Sequence, residues 1–324
     1  MATIIQLADI LSVLKNIDVI SAMEQGFVQY SNGQAVVPPV GELLFDNPKG
    51  EAHIKYGYIQ QTDYYCIKIA SGFYDNPKFG IASSQGMMLL FSQLTGEPKA
   101  ILLDEGQLTD IRTAAAGALA ARYFAPKNMQ AIGILGTGIQ ARLQLQYLKK
   151  ITDCNQVWVW GRNRANAAQF KTEMQGELEI TIAKTPAEVA QHCNLIVTTT
   201  PTETPLLQAT DVLPGTHITA VGSDTATKQE LASDVLGKAD LVIADSLAQS
   251  KSRGEIYRAT LEGKLDANQI VELGVALQNA SLQRTNDEQI SVVDLTGVAV
   301  QDIMISQAVY LNYLNREDET HAIH

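Results

Sequence analysis

The chain has 324 residues, 46% of them apolar, enough for two cores and too many for general disorder. Lys and Arg number 24 against 35 Asp and Glu, a net charge of −11 that speaks against nucleic acid or an anionic membrane as the main partner. An anionic ligand would therefore need a local cluster of cations.

The opening MATIIQLADILSVLKNIDVI has no basic leader, and no uncharged apolar run reaches the roughly 20 residues of a membrane span, so a cytoplasmic protein is expected. Cys66, Cys154 and Cys193 stand far apart without dithiol or metal spacing, and no metal is expected. Apolar positions at helical spacing through the first thirty residues predict two helices, with Asp9 and Asp18 as caps and Gly33 as punctuation. From Ala35 to about Thr95, short runs such as HIKYGYI, YYCIKIASG and MMLLFSQL are broken by PP, DNPKG, DNPKFG and TGEP, the grammar of a sheet of hairpins.

AILLDEG adds a strand, and LTDIRTAAAGALAARYFA is an alanine-rich helix beginning beside Thr109 and Asp110 and ended by Pro126. Beyond it strands and helices alternate: QAIGILG, IQARLQLQYLKK, QVWVWG, NRANAAQFKTEM, then CNLIVTTT, HITAVG and ADLVIAD. Such alternation predicts a parallel sheet covered on both faces. Helices around Ser250–Gly274, the strand SVVDL and a final helix near Gln301–Asn315 follow, and that last helix is expected to return to the first domain. The tail NREDETHAIH should fray.

Within this pattern Gly136-Thr137-Gly138-Ile139-Gln140-Ala141 is a G-x-G-x-x-A turn between a strand and a helix. Gly136 permits the tight turn, Gly138 lets backbone approach a pyrophosphate, and Ala141 allows close helix–strand packing, so the turn predicts dinucleotide binding. A bare glycine-rich turn is the alternative, but the second strand, QVWVW, arrives at the distance the motif demands. Where NAD enzymes usually place an acid for the ribose, this chain reads Gly161-Arg162-Asn163-Arg164, which favours a 2′-phosphate and hence NADP(H), with NAD(H) as the alternative. Thr199 and Val221, at the ends of CNLIVTTT and HITAVG, are further cofactor-side candidates.

Three charged residues stand in apolar settings. Lys68 lies inside the strand YYCIKIASG, where a lysine ordinarily snorkels. Arg112 opens the alanine-rich helix, against the helix dipole, so an anion should compensate it, either Asp104 or Asp110 or a bound group. Asp224 follows THITAVGS at the carboxyl edge of the parallel sheet, where open α/β sheets hold ligands, although an Asp there is also a common turn residue.

Taken in order, YYCIKIASG, SSQGMMLLF, TGEPKAILLDEG, LTDIRTAAAGALAARYFAP, GILGTGIQARLQLQYL, THITAVGSDTATKQELASDVL and VVDLTGVAVQD resemble the ornithine cyclodeaminase/mu-crystallin family along nearly the whole chain. The resemblance implies an α/β homodimer in which a Rossmann domain, residues 127–297, is inserted in an α+β substrate-binding and dimerisation domain built from residues 1–126 plus 298–324. It makes Lys68 the active-site lysine, Arg112 the cation that meets substrate carboxylate or cofactor, and Asp224 the proton-exchanging aspartate. Thr113 would assist at the cofactor phosphates, Thr296 and Gly297 would line the nicotinamide, and Ser83 would reach cofactor or substrate.

Two departures bear on activity. Relatives commonly show an arginine near the segment that here reads Pro38-Pro39-Val40-Gly41-Glu42, and the catalytic glutamate of cyclodeaminases aligns with Lys55. A lysine gained near an arginine lost can preserve recognition of a substrate carboxylate. The favoured expectation is therefore an NAD(P)H-dependent imine reductase or amino-acid dehydrogenase acting on the C–N bond of a small amino or imino acid, with Lys68, Asp224 and Arg112 catalytic and Lys55 assisting. The rivals are an ornithine or lysine cyclodeaminase that recycles NAD+, and a mu-crystallin-like protein that only binds.

Overall fold

The computed structural model describes residues 2–73 and 75–322, with side chains as far as Arg316. The chain forms two compact units, one of Met1–Arg112 with Val298–His324, the other of Thr113–Gly297. The expected fraying of the tail lies outside the described residues for Ile323 and His324. Before them the last helix continues to Ala322 rather than ending near Asn315.

In the first unit β1 (Thr3–Gln6), α1 (Leu7–Leu14), α2 (Val19–Ser31), β2 (Ala35–Val36), β3 (Gly41–Phe45), β4 (Gly50–Ile59), β5 (Tyr64–Phe73), β6 (Ser84–Ser92) and β7 (Pro98–Leu103) follow in order. The sheet runs β1-β7-β6-β5-β4-β2, with β3 also on β4. It is antiparallel except where β1 lies parallel to β7, Ile5 opposite Leu102. The periodicity of the opening reads as helix throughout, but Ile5 is fully buried in the sheet, so tertiary pairing overrides the local pattern at its start. Asp9 consequently falls within the first turn of α1, whose cap is Gln6, while Asp18 caps α2 by accepting from the Ser21 amide at 3.1 Å.

The second unit begins inside α3 (Gln107–Phe124) and continues through β8 (Ile132–Leu135), α4 (Ile139–Leu148), β9 (Gln156–Trp160), α5 (Arg164–Met174), β10 (Glu179–Ile182), α6 (Pro186–His192), β11 (Leu195–Thr198), β12 (His217–Ala220), α7 (Ser233–Lys238), β13 (Leu241–Ala244), α8 (Gly254–Leu261), β14 (Ile270–Glu272), α9 (Leu273–Leu277) and β15 (Ser291–Asp294). All the strand pairs are parallel, in the order β10-β9-β8-β11-β12-β15-β13-β14. Every residue of β8, β11, β12 and β15 is buried, as strands covered on both faces must be. The strand order reverses between β8 and β11, the crevice where Rossmann sheets accept ligands. The stretch expected as helix to Gly274 also contains strand β14, whose three residues are too few for periodicity to register.

The chain then returns to the first unit as α10 (Ala299–Ala322), which packs on α1, α2, β4, β5 and β6. No helix among the described residues is long and apolar enough to cross a membrane.

Candidate active site

The glycine-rich turn joins β8 to α4 at the point of strand-order reversal. Gly136 has φ 129°, and a Cβ there would stand 2.2 Å from Thr199 Oγ1, so both conformation and space demand glycine. At Gly138 a Cβ would meet nothing within 4 Å, which leaves the backbone open to a ligand. Gly138 is also the N-cap of α4 and has no side-chain cap, as a helix end that receives an anion would. Beside this turn lies a cleft of about 560 Å³ lined in part by Gly136, Thr137, Gly138, Arg162, Asn163 and Thr199. Its size and its exposed helix end fit a dinucleotide.

The carboxyl ends of the neighbouring strands are pinned by buried acids. Glu230 accepts from Thr198 Oγ1 at 2.6 Å, from the amide and hydroxyl of Thr200 at 2.5 and 2.8 Å, and from Gly222 N at 2.8 Å. Burial pushes its carboxyl up to about 7 despite these donors. Asp245 accepts from Thr296 Oγ1 at 2.9 Å and from the Gly297 amide at 2.7 Å, fixing the loop after β15. Asp294 receives the Ile256 amide at 2.9 Å and thereby holds the start of α8, and burial raises it to about 8. Asp224, in the loop after β12, remains partly exposed and pairs with Lys228 Nζ at 2.7 Å.

The first unit holds a buried ionic cluster. In the β4–β5 register Lys55 stands directly opposite Lys68, so both side chains belong to one sheet face. Like charges so placed destabilise a sheet unless an anion intervenes. That anion is Asp302, from the first turn of α10: its Oδ2 lies 3.2 Å from Lys68 Nζ, and its Oδ1 accepts from Arg112 Nε at 3.0 Å. Gln301 accepts from Arg112 NH1 at 3.2 Å. Lys55, Lys68, Arg112 and Asp302 are 8%, 2%, 4% and 1% exposed. Burial would raise the Asp302 carboxyl, but Lys68, Arg112 and Lys55 outweigh it and hold it below the ordinary value. Burial lowers Lys68, opposed by Asp302 and assisted by Arg112.

The structure thus brings Lys55, Lys68 and Arg112 together. Lys68 does not snorkel, and the partner of Arg112 is Asp302 rather than Asp104 or Asp110. Asp104 instead caps the alanine-rich helix by accepting from Leu108 N at 2.9 Å, the role expected near Thr109 and Asp110. Ser83 sits half-buried before β6, its carbonyl accepting from Phe73 N. Thr113 accepts through its carbonyl from Gln144 on α4 at 3.2 Å. Thr137 and Thr199 line the cleft, whereas Ile139, Gln140, Arg164, Val221, Thr296 and Gly297 are not among its walls. Sequence reasoning missed Asp302 and Gln301. An acid in the first turn of a helix whose opening residues Ala299, Val300, Ile303, Met304 and Ile305 are apolar was the available signal.

The pattern of the ornithine cyclodeaminase/mu-crystallin family matches residues 2–317. The chain is 34% identical over 300 residues to the alanine dehydrogenase of Archaeoglobus fulgidus, covering 92% of this chain and 91% of that one. It is also similar to a solved archaeal alanine dehydrogenase dimer with bound NAD, with TM-score 0.88, 31% identity and coverage of 98% and 97% of the two chains. The Thermococcus litoralis Δ(1)-pyrroline-2-carboxylate reductase, solved with NADH and L-proline, superposes with TM-score 0.90 at 26% identity, covering 97% and 98%.

Proposed function

The chain belongs to the ornithine cyclodeaminase/mu-crystallin family, and on that premise we propose that it is a cytoplasmic, homodimeric NAD(P)H-dependent oxidoreductase of the C–N bond in a small 2-imino or amino acid. The observation that carries this reading is the buried cluster in which three cations, Lys55, Lys68 and Arg112, stand around the carboxylate of Asp302. Cations gathered in this way suit an anionic ligand, and the carboxylate of an amino or imino acid is one. In this reading residues 1–126 and 298–324 bind substrate and dimerise, and residues 127–297 bind the dinucleotide. Ser83, Thr113, Ile139, Gln140, Val221, Thr296 and Gly297 complete the cofactor contacts.

The nicotinamide, when bound, supplies or accepts the hydride. Lys55, Lys68 and Arg112 hold the substrate carboxylate. Asp224 moves a proton at the substrate nitrogen as general acid or base, and its partial exposure leaves it open to exchange. The loops pinned by Glu230 and Asp245 keep strand-end residues in place. Arg162 and Asn163 in the cleft wall, with no acid ending β9, support NADP(H) as the preferred cofactor. Arg164 would lend the same phosphate its charge.

The test follows NADPH and NADH absorbance in parallel against cyclic imino acids and against 2-oxo acids with ammonia or methylamine. Consumption with one of these panels, faster with NADPH, is the expected result. Ammonia release from ornithine or lysine with catalytic NAD+ and no net consumption would make the protein a cyclodeaminase instead.

A further inference from the structure

Arg142 stands in the first turn of α4, and none of the roles described so far uses it. Its NH1 donates to the carbonyl oxygens of Thr137 at 2.5 Å and Gly138 at 3.1 Å, the two peptide units at the tip of the glycine-rich turn. Its Nε and NH2 grip Glu173 Oε2 from α5 at 2.6 and 2.5 Å. Glu173 is itself held by Gln169 Nε2 at 2.7 Å, and the guanidinium lies 5.4 Å from the centre of the Phe170 ring. One side chain therefore ties the turn to the helix that follows the second strand.

A trans peptide is planar, so its C=O and the following N–H point in opposite directions. Anchoring the carbonyls of Thr137 and Gly138 on Arg142 turns the amides of Gly138 and Ile139 to the other side of the turn. There Gly138 leaves open space, and the helix end has no side-chain cap. A fork of several fixed donors can hold two carbonyls and a carboxylate at once, which a lysine cannot.

We propose that Arg142, braced by Glu173 and Phe170, is a positioning residue that aims the Gly138 and Ile139 amides at the pyrophosphate of the dinucleotide. The proposal rests on the dinucleotide reading above. Arg142 acts on cofactor affinity and leaves the chemistry at the substrate carbon alone.

The experiment titrates NADPH and NADH by nicotinamide fluorescence into wild-type protein, Arg142→Met, Arg142→Lys and Glu173→Gln, and measures kcat and both KM values. Arg142→Met is expected to weaken dinucleotide binding about tenfold or more, with kcat at saturating cofactor within about twofold of wild type and the KM of the imino acid unchanged. Glu173→Gln should weaken binding severalfold, and Arg142→Lys should restore only part of the loss. Should Arg142→Met not fold, Glu173→Gln, whose side chain is exposed, decides the matter by the same readout. Unchanged cofactor affinity in these variants, equal losses in kcat and both KM values, or full restoration by lysine would overturn the proposal. Wild-type protein that binds neither dinucleotide would overturn the functional reading itself, and this inference with it.

Discussion

At the residue scale two buried cations of the first unit, Lys68 and Arg112, share one carboxylate, that of Asp302. Removing the Asp302 charge leaves Lys68 and Arg112 buried without their counter-ion, and breaking a buried pair in this way costs about 3–5 kcal/mol. Asp302→Asn is therefore expected to lower the unfolding free energy by about that much at neutral pH, measured by urea denaturation. Because the Asp302 carboxyl is depressed in the folded state, its contribution is complete above the ordinary carboxylate value of about 3.9 and is lost as pH falls through the lower folded value. The deficit of the variant should shrink on that acid side. Asp294 behaves in the opposite sense. Its carboxyl is raised from 3.8 to about 8 by burial, so the folded state keeps a proton that the unfolded chain has released, and wild type loses stability as pH rises through that window. Asp294→Asn can still accept from Ile256 N and should flatten the pH dependence of thermal stability there. A slope equal to that of wild type would remove Asp294 as its source.

At the element scale, what the sequence made legible was local. The turn from β8 to α4, the missing acid after β9 and the alanine-rich helix could be read because glycine spacing, strand length and cap chemistry act within a few residues. The Asp302 cluster could not be read, since it exists only where α10 returns to β5, at a separation of 234 positions between Lys68 and Asp302. The first strand was hidden for the same reason, its register with β7 being set by distant pairing. Asn163 shows a local rule acting on its own: its side chain accepts from the amides of Ala165 at 2.9 Å and Asn166 at 3.4 Å and so begins α5. Asn163→Ala should cost about 1 kcal/mol of stability, read by denaturant titration. Through the loss of a cleft wall it should also weaken NADPH more than NADH.

At the scale of the whole molecule, a net charge of −11 coexists with a sheet face that is apolar and exposed. On β4 the inward residues Lys55, Gly57 and Ile59 alternate with outward Tyr56 and Tyr58, which are 39% and 38% exposed. Val36, Pro38, Tyr65 and Ile67 join them around a shallow pocket of about 230 Å³. An apolar patch of this kind suits the contact face of the homodimer proposed above. The proposed homodimer should therefore weigh twice 35.2 kDa by light scattering, and Tyr58→Glu should shift it toward the single chain. A wild-type mass of one chain at micromolar concentration would refute the dimer.

The register that sets Lys55 opposite Lys68 has an evolutionary consequence. A single base change converts a lysine codon into a glutamate codon, and at position 55 it would set a carboxylate directly opposite Lys68. One point mutation at one rung of one ladder would thus reverse a charge beside Lys68 and Asp302 without moving a strand.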